Sequence, residues 1–462
     1  MVKRIPVNPP ADPSILGEKL YFPTAKRYAS NRFMKAAMTE KLCPYDKNNL
    51  QITGIPPQRY INLYSKWGHG GFGVVLTGNI AVDPYHVEAP GNPIIEKSLD
   101  SPSRREALRK VAEVTKADGA LAIVQLTHAG RQTYISVNEH PYSASDVQLQ
   151  GVKFVGVAGF GKPIPLTEEQ VRTEIIDKFV YAAKYCYEAG FDGIQLHGAH
   201  GYLLAQFMSP TTNKRTDKYG GSAANRARIV LEIYDAIRAE IPAETGFIIG
   251  IKMNSVEFQN EGLQTEDATF MAKEYEKKGF DFIEISGGTY EKFGFNHQKE
   301  STRAREAYFV EFSTDIKKAL SKTVLYLTGG LRTIPGMTNA IKDGAADGIG
   351  LGRPVCDEPD LPKKILQRDV QSSIATPFEA VGGGETDFAM GLVAANSLIW
   401  QAGEVSYEKT KDNPSYGLMD LTDEEVYDAF LPAAKEFLVK LTENAEKGIV
   451  ISVFEYKPET GA

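Results

Sequence analysis

Eight short apolar runs, most of them followed by a stretch of helical pattern, order this chain from about residue 33 to about residue 352. The runs are Phe33–Met38, Val74–Thr77, Leu121–Leu126, Gly193–His197, Phe247–Met253, Phe282–Ser286, Val324–Thr328 and Gly348–Gly352. Amphipathic segments lie between them, and in one of these Val171, Ile175, Phe179, Ala182 and Cys186 recur at helical spacing, which marks a buried face. Several helices end at a glycine and pass straight into the next run, as at Ala189-Gly190-Phe191. Strands that are apolar along their length and joined through helices form a parallel sheet covered by helices. Eight such units over roughly 340 residues fit a closed (β/α)8 barrel, an α/β TIM barrel, better than an open sheet.

The expected division is residues 1–368 as the barrel and residues 369–462 as an appended C-terminal helical tail. The tail holds a glycine cluster (Gly382, Gly383, Gly384), an apolar helical piece (Met390–Gln401) and a charged helix (Thr422–Lys447). It is expected to pack on the barrel or on a neighbouring subunit.

In a (β/α)8 barrel the chemistry sits at the C-terminal ends of the strands. Those ends here carry Ala37-Met38-Thr39, Gly78-Asn79, Gln125 to Arg131, His197 to Tyr202, Lys252 to Asn254, Ser286-Gly287, Thr328-Gly329-Gly330 and Gly352-Arg353. So many converging polar or glycine ends imply a large polar ligand. His197, His200 and Tyr202, within six residues, offer hydrogen-bond donors and one proton donor. Gly330, Gly352 and Arg353 follow the last two strands, where such barrels commonly hold a phosphate. Lys252 needs an anionic partner, either a structural carboxylate or a ring that becomes anionic on reduction. GHGGFG (Gly68–Gly73) follows a helix and precedes a strand, the reverse of a dinucleotide fingerprint, and reads as a tight turn. His197 and His200 also admit a metal pair, with His128 the nearest third ligand, although zinc on a helix prefers i, i+4 spacing.

A net charge of −7 leaves no basic excess for nucleic acid. No apolar stretch approaches the roughly 20 residues that span a bilayer. The three scattered cysteines (Cys43, Cys186, Cys356) form neither a disulfide framework nor a CxxC site. The N-terminus lacks the apolar core of a secretory signal, so the expected compartment is the cytoplasm.

The block HGAHGYLLAQFMSPTTNKRTDKYGGSAANRAR (His197–Arg228), with NRFMKAAMT, QLTHAGRQ, GGLRT and the GLGRP ending at Pro354, resembles the Old Yellow Enzyme family of FMN-dependent oxidoreductases in content and order. The likeness covers roughly residues 15 to 368. It implies bound FMN, with NAD(P)H as a transient hydride donor and no second dinucleotide domain. Ala37, Met38 and Thr39 would run along the flavin edge, with Thr39 hydrogen-bonding near O4, and Asn79 falls in the same cofactor set. Gln125 would meet the pyrimidine ring, Lys252 the N1–O2 side, and Gly330, Gly352 and Arg353 the phosphate.

The resemblance further implies an ene-reductase acting on α,β-unsaturated carbonyl compounds. His197 and His200 would bind the carbonyl oxygen, and Tyr202 would protonate Cα. Alternatives are an FMN-dependent dehydrogenase or oxidase on the same barrel, or a metal-dependent barrel hydrolase; a homo-oligomer is compatible with either. Lys252 stands where the family usually has Arg, and Thr39 where one branch often has Cys. The tail has no counterpart in the short enzymes. The loops at 132–161 and 289–308 are expected to shape the substrate pocket.

Overall fold

A computed structural model describes residues 2–152, 156–257, 261–287, 291, 310–379, 385–410, 412–451 and 453–457. Eight parallel strands close into a barrel: β1 (Phe33–Lys35), β2 (Val74–Ala81), β3 (Leu121–Thr127), β4 (Gly193–Gly198), β5 (Ile248–Asn254), β6 (Phe282–Ser286), β7 (Val324–Thr328) and β8 (Gly348–Leu351). Their order around the barrel is their order in the chain, with β8 pairing β1. The covering helices are α1 (Gln58–Gly68), α2 (Pro102–Thr115), α3 (Asp177–Glu188), α4 (Ala223–Glu240), α5 (Thr265–Lys278), α6 (Val310–Ala319), α7 (Ile334–Lys342) and α8 (Leu361–Leu366). The (β/α)8 class expected from the alternation is the class observed.

Local chemistry explains the helix starts. Ser101 accepts from Arg104 N, Ser222 from Asn225 N and Thr333 from Gly336 N, each satisfying an orphan donor of a first turn. Gly279, at φ 109°, ends α5 in the left-handed conformation and turns the chain into β6.

The barrel interior is layered. Its lower part is apolar and closed by a hairpin (Leu20–Phe22 with Arg27–Ala29), whose Phe22 packs with Met34, Ile123, Ile248, Phe282 and Tyr326. Asp281 ties this plug to the barrel by accepting from Thr24 N and Ala25 N, at 3.1 and 2.9 Å. Above it lies a polar layer. Gln125 Nε2 donates to Gln195 Oε1, Gln195 Nε2 to Glu284 Oε2 (both 2.8 Å), and Thr328 Oγ1 to Glu284 Oε1 (2.7 Å).

The tail folds back onto the same barrel. Its helix α9 (Glu385–Ala402) docks on α1, where Arg59 Nη1 donates to Trp400 O and its guanidinium lies 4.1 Å from the Trp400 ring centroid. Helix α10 (Glu424–Glu446) lays Phe430 among Phe378, Phe454 and Tyr456. The glycine cluster and nearly all of the 289–308 loop lie outside the described residues. No helix among the described residues is long and apolar enough to cross a membrane.

Candidate active site

A cavity of about 690 Å³ opens between the C-terminal ends of the strands and the underside of the tail, within the size range of small-molecule and cofactor sites. Its barrel-side wall carries Ala37, Met38, Thr39, His200, Lys252, Gly330, Gly352 and Arg353. Eight of the twelve residues singled out from the sequence therefore share one opening. Asn79, Gln125, His197 and Tyr202 stand outside that wall.

β4 delivers the histidines. His197 pairs in register with Lys252 of the neighbouring β5. His200 follows three residues later at φ 59°, a left-handed conformation rare outside glycine, held by its own N–H donating to Asn254 Oδ1 at 3.2 Å. The His197 ring stands edge-on to His200 and to Tyr202, with centroids 5.3 and 4.7 Å away. Tyr202 is buried in a small cluster with Ala129, Leu149 and Phe160, with its ring against that of His197.

Both imidazoles are held neutral. Burial pushes the His197 pKa well below its usual range, assisted by His200 and by the positive charge of Lys252. Burial and Lys252 together take His200 down to about 3. Neutral rings at a pocket wall serve as hydrogen-bond donors without bringing a fixed charge. His200 Nε2 lies 2.7 Å from Ser286 Oγ, and Ala199 N–H points at His197 Nδ1 from 3.3 Å. A donor aimed at one ring nitrogen leaves the ring proton on the other.

Lys252 has the carboxylate that the sequence left open. Its Nζ is 3.0 Å from Glu284 Oε1, and the Glu284 side chain is fully buried. Gln125 is spent on Gln195 in the layer beneath. The Thr39 hydroxyl donates to Glu88 Oε2 and accepts from Asn79 Nδ2, both at 3.0 Å.

Two carboxylates escaped the sequence reading. Glu88 also accepts from Asn92 Nδ2, gathering the loop after β2 beneath Thr39. Glu40 accepts from Tyr60 and Tyr64 and from Gly78 N (2.8 Å), fixing the β2 bulge to the end of β1. Each lies just past a strand end, but nothing local distinguishes such a Glu from a solvated one.

The remaining motifs serve as scaffold. Asn213 Nδ2 donates to Phe207 O and Tyr219 O, and Arg226 Nη1 to Met208 O, locking the segment after the histidines. His128 stacks on His86 (centroids 4.2 Å), away from the expected pair. Among the described residues, the trio of candidate metal ligands is Asp83, His86 and His128. Both His86 nitrogens are occupied there, by Asp83 Oδ1 at 2.9 Å and by Tyr142 N–H at 2.9 Å.

The donor set fits a flavin mononucleotide. Gly329 and Gly330, at φ 133° and 77°, take conformations that free backbone N–H groups beside Arg353, suiting a phosphate. A Cβ at Gly350 would lie 1.8 Å from Thr328 Oγ1, so only glycine keeps this corner open. Asn79 Oδ1 is buried with no partner among the described residues, an acceptor awaiting a donor at the strand end.

Comparison with known proteins decides the family. The model of the NADH:flavin oxidoreductase / NADH oxidase family matches residues 26–371. The chain belongs to this family, that of Old Yellow Enzyme. An NADH-dependent flavin oxidoreductase (nadA) of Aspergillus parasiticus is 38% identical over 430 residues, covering 92% of each chain. Another (iliE), of Hypocrea jecorina, is 32% identical over 365 residues, covering 75% of this chain and 88% of its own. The Old Yellow Enzyme homologue of Zymomonas mobilis superposes with TM-score 0.64 at 21% identity, covering 81% of this chain and 98% of its own, a likeness of fold. As a member of the Old Yellow Enzyme family, the protein is an FMN oxidoreductase with NAD(P)H as hydride donor.

Proposed function

We propose that the protein is an ene-reductase, reducing the activated C=C of α,β-unsaturated carbonyl compounds. The observation that carries this reading is the neutral His197–His200 pair at the end of β4, with the Tyr202 ring edge-on to His197. When bound, FMN supplies the two-electron chemistry, accepting hydride from NAD(P)H and donating it to the alkene.

The side chains do the rest. The two imidazole N–H groups bind the carbonyl oxygen and strengthen their hold as negative charge builds there, so they favour the transition state over the substrate. Neutrality matters, because a buried imidazolium would repel Lys252. Tyr202 holds the proton destined for Cα at its phenol oxygen. Lys252, fixed by Glu284, places a cation at the floor of the opening, suited to the ring edge that gains charge on reduction. Gly330, Gly352 and Arg353 anchor the phosphate, and Ala37 and Met38 bound the flavin edge. Gln125 contributes through the polar layer beneath.

Rapid-mixing kinetics of Tyr202→Phe test the assignment. Reoxidation of the reduced flavin by an enone slows by about 10²–10⁴-fold, the usual worth of a positioned proton donor, while reduction by NADH keeps its rate. Equal losses in both half-reactions would refute the role of Tyr202.

A further inference from the structure

The tail supplies the other half of the cavity, and its chemistry differs from that of the barrel side. Among the described residues, every tail residue on the cavity wall is apolar or glycine except Asn396, whose Nδ2 donates to Thr39 O at 2.9 Å. The charged members of the wall (Lys41, Glu88, Lys252, Arg332, Arg353) all come from the barrel and its loops.

Helix α10 shows why this surface is more than core. Phe430, Ala434, Phe437, Leu441 and Ala445 recur at three- and four-residue intervals and share one face. Phe430 and Ala434 are fully buried at the start of that stripe. Phe437, stacked on Phe454 with centroids 4.7 Å apart, continues it with Leu441 and Ala445; all three are only half-buried and line the cavity. Leu392 of α9 also faces the cavity and is 36% exposed. An apolar stripe that lines a cavity offers a ligand further apolar surface to bury. The loop after β3 closes the far side against the same helix: a Cβ at Gly156 would lie 2.4 Å from Leu441 Cγ.

We propose that the tail forms the specificity wall of the substrate site, with Phe437 and Leu441 receiving a large apolar substituent of the unsaturated carbonyl compound. The substrate class is then an enone carrying a bulky hydrocarbon or aromatic ring, rather than a small or anionic enone. This rests on the reading of the site as an ene-reductase. Among the described residues the tail puts no cation on the cavity wall to hold an anionic group, whereas the carbonyl end would meet His197 and His200 on the barrel side.

The test compares cyclohexenone with a cyclohexenone bearing a phenyl ring. Both enones are assayed for turnover, and the two corresponding saturated ketones for binding, followed by perturbation of the flavin spectrum. The holoenzyme is studied beside Leu441→Trp and Phe437→Ala variants that purify with flavin. The expected result is that the wild type prefers the phenyl compound by at least tenfold in kcat/KM and in Kd. Filling the wall with Trp, or removing the Phe437 ring, should lower that ratio at least tenfold, in line with the worth of apolar complementarity in a pocket. A wild type that favours the small compound, or variants that weaken both equally, would overturn the proposal. A shift in FMN affinity with an unchanged ratio would also overturn it, by showing that the wall faces the cofactor. Selective binding of the phenyl ketone without turnover of either enone would uphold the wall and refute ene-reduction.

Discussion

Lys252→Met separates the two roles open to this side chain. Methionine keeps most of the stem volume and removes the ammonium, leaving the fully buried Glu284 without its cation at 3.0 Å. Breaking a buried pair from one side costs about 3–5 kcal/mol, because the remaining charge is uncompensated. Glu284 would keep its bonds from Gln195 Nε2 and Thr328 Oγ1, which places the loss near the lower end, about 3 kcal/mol. Unfolding entropy grows with chain length, so in a barrel of this size that loss lowers Tm by roughly 3–6 °C. The double variant Lys252→Met/Glu284→Gln removes both charges while the introduced amide still pairs with Gln195 and Thr328, and should recover to within about 1 kcal/mol of the wild type. Thermal melts of the flavin-free proteins measure this without interference from cofactor binding. A single variant that loses less than about 1 kcal/mol, or a double variant no better than the single, would refute the pairing as the reason Lys252 is tolerated there.

Three further outcomes follow from the same geometry. His200, held near a pKa of about 3, takes up no proton between pH 6 and 4, whereas the unfolded chain does. Its contribution to stability is present above the unfolded pKa and lost as pH falls toward the folded one. In urea unfolding the wild type should therefore lose about 1.4 kcal/mol per pH unit more than His200→Asn across that window, and parallel profiles would contradict it. Arg353→Ala should weaken FMN binding by about 10- to 100-fold, the worth of one charge-assisted contact, read by fluorescence titration of the apoprotein; an unchanged Kd would remove Arg353 from the phosphate site. Gly350→Ala should cost about 1–3 kcal/mol by overpacking against Thr328 Oγ1, read as a lowered Tm, and an unshifted melt would show that the corner has room.

The barrel was legible because strands buried on both sides read as continuous apolar runs, and the observed strands fall on all eight. Their ends were less so. β1 stops at Lys35, not Met38, because Ala36 N–H still reaches Leu351 O while the following residues turn to the cavity wall. β2 runs on to Ala81 through a bulge at Thr77-Gly78 held by Glu40, a tertiary contact invisible in local pattern. The plugging hairpin at Leu20–Ala29 was missed, since two three-residue strands carry too little periodicity to register.

At the site, candidate residues at strand ends could be picked out because the fold dictates where strand ends point, and eight of the twelve line one cavity. Their partners could not: Glu284 for Lys252, Glu88 for Thr39 and Ser286 for His200 come from distant segments. The tail shows the same limit. Helical spacing marks Phe437 and Leu441 as one apolar face, but an apolar face reads identically whether it meets protein or ligand.

An anaerobic absorbance titration reaches furthest into the whole reading. The purified protein, reconstituted with FMN, should show a flavin band that bleaches on adding NADH and returns on adding cyclohexenone, in amounts equal to the bleached flavin. A band that bleaches but stays bleached with enones of either size would contradict ene-reduction, and no flavin binding at all would contradict the site itself.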